Sequence, residues 1–417
     1  MRLPTLVVRG VLALVALLPA ACASPPRATS RATSRAPASP RVVGYLASWG
    51  VRSKGTRIPD LPADRLTHVL YAFVRVGPDL RVALADPCLD VGRCARVGDD
   101  GATDSLGGNF AQLLALKQRH PHLRILPSVG GWGGSARFSD AALTEASRRA
   151  FAASAVDLVA RRWPGLFDGF DVDWEFPVSG GMAGNVERPA DRENFVLLLA
   201  ELRRQLDAQS ARDGRRYELA IAASAGPRGI ANLELARIAP LLDFITVMTY
   251  DYHAGSRVAH LNAPLFAAAG DPTPALSVDA SIRAYLAGGV PAHKLLVGVP
   301  FYGRAYGGVA SANAGLYQPS TGLPVGWREG EGDYRTLARS RVGSSHFQRH
   351  WSAEAQVPWL FNPASGTWIT YDDSQSVAAK ADYVRTRRLG GLAIWELGGD
   401  DGTLMRALSA GLRGTRD

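Results

Sequence analysis

The sequence predicts an α/β fold, a (β/α)8 TIM barrel with a small α+β insertion between the seventh and eighth strands. Eight apolar or β-branched runs recur between residues 41 and 397, and amphipathic helical patterns separate most of them. Eight parallel strands with intervening helices close most economically into such a barrel. The spacing breaks between the last two runs, where residues 305–366 are rich in Gly, Tyr and Trp. That segment is too long for a simple connection, which predicts the inserted lobe.

The eight predicted strands follow one another along the chain. They cover residues 41–49, 66–76, 123–131, 167–175, 217–226, 242–252, 294–304 and 390–397. Stretches such as NFAQLLALKQRH and DRENFVLLLAELRRQLDAQ lie between them, with apolar residues three and four apart and charges opposite. In barrels of this kind the active site gathers at the carboxyl ends of the strands. Polar and aromatic residues collect at those ends, so we expect the functional site there.

The first 40 residues have the features of an export signal followed by a tether. Residues 1–23 contain two arginines, the apolar run VLALVALL and the small residues PAACAS, the layout of a secretory signal peptide. Cys22 resembles the acylated cysteine of a bacterial lipoprotein, but Pro19 fits that pattern poorly, so ordinary cleavage near Ala23 is equally open. Residues 24–40 repeat Arg-Ala-Thr-Ser and predict a flexible linker. We expect an exported protein, either secreted, periplasmic or tethered to a membrane through Cys22.

Charge and cysteine content exclude some partners. The formal net charge is +9, and residues 1–40 hold five arginines and no acid, which leaves +4 (9 minus 5) for the remainder. So mild a charge on a body of this size argues against nucleic-acid binding. In an exported protein, Cys88 and Cys94 of CLDVGRC are predicted to form a short disulfide loop, whereas two free thiols would fit a cytoplasmic protein. We expect a monomer.

One stretch, FDGFDVDWEFP at 167–177, holds four carboxylates within eight residues. Alternation on a strand places Asp171, Asp173 and Glu175 on one face and the residues between them on the other. Carboxyl groups this close together do not all ionise at neutral pH, so a shared proton and at least one raised pKa are expected. Two other interpretations are open. The stretch could be an exposed acidic edge strand, or the same oxygens could be ligands of a Ca²⁺ ion. The alternation with Trp174 and the lack of a Ca²⁺-loop glycine turn count against the Ca²⁺ site.

Tryptophans near the strand ends predict a sugar-binding cleft. The apolar face of a pyranose stacks on an indole ring, while its hydroxyl groups need acids, amides and arginines around the rim. A carboxylic acid that is protonated at neutral pH beside a second carboxylate can cleave a glycosidic bond. Glu175 ends the acid row next to the cleft and is the natural proton donor. The candidate stacking residues are Trp49, Trp132, Trp174 and Trp395.

The acid row resembles the DxxDxDxE motif of family 18 glycoside hydrolases, the chitinase family, with acids at Asp168, Asp171, Asp173 and Glu175. Three further segments are similar to motifs of that family in the same order: PSVGGW, MTYDYHAG and GGLAIWELGGDD. GVPFYGRAY, followed by the inserted segment, resembles the subgroup that carries a chitinase insertion domain. The resemblance covers nearly all of residues 41–412.

The resemblance implies retaining, substrate-assisted hydrolysis of chitin or N-acetylglucosamine oligosaccharides, in which the substrate's own 2-acetamido oxygen attacks the anomeric carbon. Glu175 would be the acid and base, Asp173 would accept the acetamido N–H, and Asp171 would share its proton. Tyr250 would hold the acetamido carbonyl, and Asp168 would be structural. No cofactor or metal is implied. The substrate-binding residues expected from the cleft and the motifs are Tyr45, Trp49, Phe73, Gly131, Trp132, Trp174, Met248, Asp251, Tyr302, Arg304 and Trp395.

Other functions of the same fold remain open. An endo-β-N-acetylglucosaminidase that acts on N-glycans, or an enzyme that acts on peptidoglycan, would share the barrel and the acids. The inserted lobe favours chitin by analogy with the resembling subgroup. A non-catalytic chitin-binding lectin typically lacks the glutamate, and Glu175 is present here.

Overall fold

The computed structural model describes residues 1–7, 10, 39–92, 107–328 and 330–414. The chain divides into two units, Met1–Ser39 and Pro40–Asp417. The described residues of the first unit form no helix or strand. Cys22, Cys94 and most of the predicted signal peptide and linker lie outside the described residues, so the anchor and the disulfide stay predictions. Within the described part of the chain, no helix combines the length and apolar character needed to cross a membrane.

Strands and helices alternate through most of the second unit. The strands are β1 Arg41–Ala47, β2 His68–Val76, β3 Val82–Leu84, β4 Arg124–Gly130, β5 Gly169–Asp173, β6 Glu218–Ser224, β7 Phe244–Met248, β8 Leu295–Pro300, β9 Arg304–Tyr306, β10 Gln348–Ser352, β11 Val357–Asn362, β12 Thr367–Thr370 and β13 Gly391–Trp395. The α-helices are α1 Gly50–Ser53, α2 Pro87–Val91, α3 Gly108–Arg119, α4 Phe138–Leu143, α5 Glu145–Val156, α6 Asp191–Asp213, α7 Pro227–Ala231, α8 Leu235–Ile238, α9 Val278–Ala287, α10 Tyr334–Ser340, α11 Ser374–Thr386 and α12 Thr403–Arg413.

Eight parallel strands close into a barrel. Their order is β1-β13-β8-β7-β6-β5-β4-β2, and β1 also pairs with β2. Each of these strands runs parallel to its neighbours. The predicted (β/α)8 barrel is therefore confirmed, and each predicted run contains one barrel strand. The structure adds β3, a three-residue strand that pairs antiparallel with β2 and that the sequence pattern did not indicate.

Closure of the sheet creates two hydrophobic layers. Strand side chains that point outward pack against the helices in a large outer core, to which Phe170 and Val172 of β5 belong. Because successive strand residues point to opposite faces, Asp171 and Asp173 then point into the barrel. The barrel interior is a small core made by Val43, Tyr45, Leu70, Ala72, Leu126, Ala220, Phe244, Leu296 and Ala393. Two carboxylates thus share an interior that is otherwise largely apolar.

A four-stranded antiparallel sheet, in the order β10-β11-β12-β9, forms the inserted lobe between β8 and β13. This sheet runs from Arg304 to Thr370, slightly beyond the segment 305–366 in which the sequence pattern placed the lobe. Its β9 begins four residues after the end of β8, so the lobe continues directly from the barrel wall. The lobe's own core contains Tyr306, Trp359, Phe361 and Trp368, together with Ala259 and Leu261 from the segment after β7.

A buried ion pair holds the chain where it returns from the lobe to the barrel. Asp372 follows β12, and both of its oxygens accept from the Lys380 ammonium of α11 at 2.6 Å. The hydroxyl of Ser376 donates to the same carboxylate at 2.6 Å. Both charged side chains are almost fully buried, at 0% and 2% exposure. Neither charge could remain there without the other.

We expect Lys380→Met to destabilise the protein by about 3–5 kcal/mol, because the Asp372 carboxylate would stay buried without its cation. Urea denaturation of the variant and the parent measures the loss. The control is Arg385→Met on the same helix, which removes an exposed pair with Asp382 and should cost less than about 1 kcal/mol. Equal losses in the two variants would contradict the structural role of the buried pair.

Candidate active site

The acid row lies at the carboxyl end of β5, on the inner face of the barrel. Asp171 and Asp173 are 0% and 3% exposed, and Glu175 follows the strand and is partly exposed. Ser128 of β4 stands beside Asp171 in the parallel register. The three acids that alternation predicted on one face are brought together at the barrel mouth. In the described part of the chain, no cluster of three His, Cys, Asp or Glu side chains is placed to hold a metal ion.

Two hydroxyl groups support Asp171. The Ser128 hydroxyl donates to Oδ2 of Asp171 at 2.7 Å, and the Tyr45 hydroxyl donates to the same oxygen at 3.2 Å. Oδ1 of Asp171 is buried and has no hydrogen-bond partner. Burial raises the pKa of Asp171 to about 6, although the two hydroxyl donors act in the opposite direction. This carboxyl therefore holds a proton over a wider pH range than an exposed aspartate does.

Asp173 and Glu175 are shifted in the same direction. Burial raises the pKa of Asp173 well above its ordinary value, and the charges of Glu175 and Asp171 raise it further. Burial, and then the charge of Asp251, raise the pKa of Glu175 to about 7. Two neighbouring carboxyls with raised pKa values titrate as a pair rather than singly. Near neutral pH, the row therefore retains protons that it can share.

The backbone around Glu175 is held by side chains of neighbouring loops. The Glu175 N–H donates to the Ser135 hydroxyl at 2.9 Å, and the Asn185 amide donates to the Glu175 carbonyl at 3.0 Å. The Gly131 N–H donates to the Asp173 carbonyl at 2.9 Å. Ser135 and Asn185 were not predicted from the sequence. They fix the position of the backbone from which the Glu175 carboxyl projects.

Tyrosine side chains and an ion pair form the wall beside the acids. Burial raises the pKa of Tyr250, and Asp173 and Glu175 raise it further, so its hydroxyl remains a hydrogen-bond donor. The Arg304 guanidinium binds both oxygens of Asp251 and also lies over the ring of Tyr302, 5.4 Å from the centroid. Gly298 makes room for Tyr250, because a Cβ there would lie 2.8 Å from its ring. The partly exposed Met248 ends β7 just before this wall.

Aromatic rings form a continuous apolar surface next to the acid row. The ring of Trp395 lies 5.4 Å from Tyr45 and 5.8 Å from Phe73 between centroids. Phe73 in turn lies 6.2 Å from Trp49, which is 39% exposed. Gly131 permits this packing, because it has a φ of +76° and a Cβ there would lie 2.4 Å from the Phe73 ring. Trp132, at 53% exposure, is the most solvent-accessible of the predicted tryptophans.

A cavity of about 460 Å³ runs from Trp395 to the inserted lobe. Lys54, after β1, crosses between barrel and lobe: its ammonium donates to Glu396 at 2.8 Å and to Asp333 at 2.9 Å. Burial alone would lower the pKa of Lys54, but Glu396 and Asp333 raise it above its ordinary value. No pattern in the sequence predicts this triad. The cavity lining includes Trp49, Asp251, Tyr302, Arg304 and Trp395, as predicted, and also Leu323, Trp327 and Arg328 of the lobe.

Two predicted substrate-binding residues have other positions. Trp174 is 2% exposed and packs among the helices, stacked on Phe138 at 5.3 Å and edge-on to Phe195 at 5.4 Å. It follows Asp173 in sequence and therefore points to the opposite side of the sheet, so its assignment to the cleft was wrong. Tyr45 is 1% exposed and supports Asp171, and it offers almost no surface to a sugar.

Asp168 lies at the opposite end of β5 from the cleft. It accepts from the Lys117 ammonium at 2.6 Å and from the Ile125 N–H at 2.9 Å. These contacts tie the start of β5 to the neighbouring strand and to helix α3. The structural role expected for this acid agrees with its place in the fold, far from Glu175 along the strand.

Known proteins resemble this chain in both sequence and structure. Residues 41–400 match the family model described as glycosyl hydrolases family 18. The match spans most of the chain, and the chain belongs to this family.

Three relatives illustrate the likeness. Chitinase A1 of Niallia circulans is 39% identical over 428 residues, which cover 93% of this chain and 60% of the relative. The structure of chitinase ChiA74 from Bacillus thuringiensis aligns with a TM-score of 0.83 and 34% identity, over 91% of this chain and 71% of that one. A family 18 N-acetylglucosaminidase from Paenibacillus barengoltzii aligns with a TM-score of 0.75 and 36% identity, over 89% of this chain and 99% of that one. The part that aligns with this chain is thus almost the whole of that structure.

The buried Asp171 should make the protein less stable as the pH rises. Its pKa is about 6 in the folded protein against an ordinary value of 3.8, so the folded state binds more protons than the unfolded state between these values, and stability falls across that window. Asp171→Asn removes this loss. We expect the variant to gain roughly 2–3 kcal/mol relative to the parent between pH 4 and pH 8.

Urea denaturation of both proteins at the two pH values measures this difference. The exposed Asp64→Asn substitution controls for the change from acid to amide. A constant difference in stability between Asp171→Asn and the parent at both pH values would contradict the raised pKa.

Proposed function

We propose that this protein is a chitinase that hydrolyses β-1,4 bonds between N-acetylglucosamine residues with retention of configuration. The observation that carries the proposal is the buried acid row at the barrel mouth, in which the pKa of Glu175 is about 7. Such a group is still protonated near neutral pH and can act as a general acid. The aromatic surface of Trp395 and Phe73 beside it supports a sugar as the substrate.

The first chemical step joins proton transfer to attack by the substrate itself. Glu175 donates its proton to the glycosidic oxygen, and the bond between that oxygen and the anomeric carbon breaks. The 2-acetamido oxygen of the same sugar forms a new bond to the anomeric carbon, which gives an oxazolinium ion. Asp173 accepts the acetamido N–H and stabilises the positive charge, while the Tyr250 hydroxyl holds the acetamido group in line.

The second step restores the enzyme. The Glu175 carboxylate takes a proton from water, the water oxygen attacks the anomeric carbon, and the acetamido oxygen leaves. Each of the two attacks inverts the configuration at the anomeric carbon, so the product has the same configuration as the substrate. Asp171, with its two hydroxyl donors and raised pKa, shares a proton with Asp173 and so keeps that residue able to change its charge between the steps.

A second function, removal of single N-acetylglucosamine residues from chain ends, is favoured by the likeness to the N-acetylglucosaminidase. Both reactions would use the same acids, so the acid row does not separate them. Hydrolysis of N-glycans or peptidoglycan also needs the same acids. The products from a chitin hexasaccharide separate these possibilities. Disaccharides and trisaccharides support the chitinase, and monosaccharide alone supports the exo-acting enzyme. The absence of cleavage favours N-glycans or peptidoglycan as the substrate.

We expect Glu175→Gln to reduce the turnover of chitin oligosaccharides by about two to four orders of magnitude, because general acid catalysis is lost. Binding of the oligosaccharide, measured by calorimetry, should remain close to that of the parent. The control is Glu145→Gln on the exposed surface of α5. Retention of more than about a tenth of the parent rate would contradict the assignment of Glu175.

The nucleophile can be tested through the substrate. Partly acetylated chitosan should be cut only where N-acetylglucosamine precedes the broken bond, because a glucosamine at that position has no acetamido oxygen. Proton NMR of fresh products should show N-acetylglucosamine at the new reducing ends, first as the β-anomer. An initial α-anomer, or frequent glucosamine at those ends, would overturn the substrate-assisted mechanism.

We further propose that the protein is exported and that Cys88 and Cys94 form a disulfide, with Cys22 as a candidate lipid anchor. The signal-like start of the chain and the spacing of the two cysteines support this. Mass spectrometry of unreduced protein from the cell envelope and the medium should find the linked peptide and the state of Cys22. Alkylation of both thiols in native protein would contradict the disulfide.

A further inference from the structure

A second cavity lies at the other end of the barrel, where the strands begin. Its volume is about 610 Å³, and it opens between the start of β1, the turn after α6 and the turns before β7 and β8. Five cationic side chains and two carboxylates line it. The charged lining consists of Arg41, Arg203, Arg215, Arg216 and Lys294, with Asp207 and Asp243. We call this site the basal cationic cavity.

The two carboxylates leave much of this positive charge unneutralised. Asp243 is shared between Arg203, at 3.5 Å, and Arg216. Asp207 also binds Arg203, at 2.6 Å. Among the described residues, no carboxylate lies within 4 Å of the charged groups of Arg41 or Lys294. Arg215 pairs with Asp168, which lies outside the lining, at 3.7 Å. Arg41 and Lys294 therefore carry the excess positive charge of this cavity.

Part of this lining has a structural role, and part does not. The Lys294 ammonium donates to the carbonyls of Ala239 and Leu242 at 2.7 and 2.6 Å, which ties the turn before β8 to the turn before β7. Burial lowers the pKa of Lys294, Asp243 opposes this shift, and Arg216 and Arg41 add to it. The Arg216 side chain is 75% exposed, although it binds Asp243. The Arg41 guanidinium makes one long contact to a carbonyl and lies over the ring of Phe244, 5.3 Å from the centroid. Each guanidinium has five N–H donors, and these contacts occupy only part of them, so both groups can also donate to an anion.

We propose that the basal cationic cavity binds the phosphodiester headgroup of an anionic lipid bilayer. Guanidinium groups bind phosphate oxygens in pairs, and clustered arginines next to a membrane add attraction to anionic lipids. The sequence joins the cavity to a segment of the same character, because Arg41 both lines the cavity and directly follows residues 24–40, which hold three arginines and no acid. Attachment through this segment would keep the basal end of the barrel close to the surface it binds.

This binding does not use the groups that carry the proposed hydrolysis. The cavity lies where the strands begin, and Glu175 and Trp395 lie where they end. A barrel bound through its basal cavity thus leaves its cleft open to substrate on the far side. Loss of lipid binding and loss of hydrolysis are consequently separable.

The test uses residues 40–417, which contain all the described strands and helices and omit the arginines of the linker and any lipid anchor at Cys22. Cosedimentation is measured with phosphatidylcholine vesicles that contain about one-third phosphatidylglycerol, at low salt. The test variant is Arg41→Gln with Arg216→Gln. The control is Arg57→Gln with Arg283→Gln, two exposed arginines outside the cavity.

We expect the parent and the control to bind the anionic vesicles, and the test variant to bind roughly 25-fold more weakly, about fivefold for each charge removed. All three proteins should hydrolyse a soluble oligosaccharide at the same rate, which shows that they are folded. Equal weakening in the test and control variants, or equal binding to vesicles of phosphatidylcholine alone, would overturn the proposal. Tighter binding to soluble poly(glycerol phosphate) than to the vesicles would also overturn it, in favour of a polymer ligand.

Discussion

The burial of two carboxylates inside a closed barrel is the constraint on which the rest of the site depends. Solvent has almost no access to Asp171 and Asp173, so their ionised forms are costly. The barrel offers Asp171 two hydroxyl donors, and Oδ1 of Asp173 has no hydrogen-bond partner. Protons therefore stay in the row at pH values where exposed aspartates have lost them. Buried carboxylate oxygens that lack hydrogen-bond partners are thus the source of the acid chemistry.

Three other buried acids are each neutralised by a lysine. Asp372 is bound by Lys380, Asp168 by Lys117, and Glu396 by Lys54, each with a cation within 3 Å. By contrast, burial and neighbouring carboxylates are what raise the pKa values of Asp173 and Glu175, and no cation offsets them. A lysine beside the row would stabilise the fold and would also remove the proton that Glu175 has to give. Among the described residues, the acid row thus differs from these three carboxylates in having no cation in contact with it.

Much of the fold and the acid row could be predicted because both depend on local periodicity. The alternation in FDGFDVDWE predicted which acids share a face, and the same rule, applied strictly, would have placed Trp174 among the helices rather than in the cleft. Contacts between distant segments could not be predicted in this way. Lys54 and Glu396 are separated by 342 positions, and Ser135 and Glu175 by 40, with no pattern that connects them. The inserted lobe was predicted from its length, but its strand register required the structure.

The lobe supplies one residue of the cleft wall, Arg304. This residue is the first of β9, whose pairing with β12 sets its backbone position, and its guanidinium binds Asp251 at the cleft wall. The lobe is consequently not a detachable module. A natural or engineered shuffling event that exchanged it would replace the partner strand of β9 and, with it, the alignment of the wall. The lobe cannot be exchanged without disturbing the cleft wall. Single substitutions would therefore change the substrate range of such a chain more readily than recombination would.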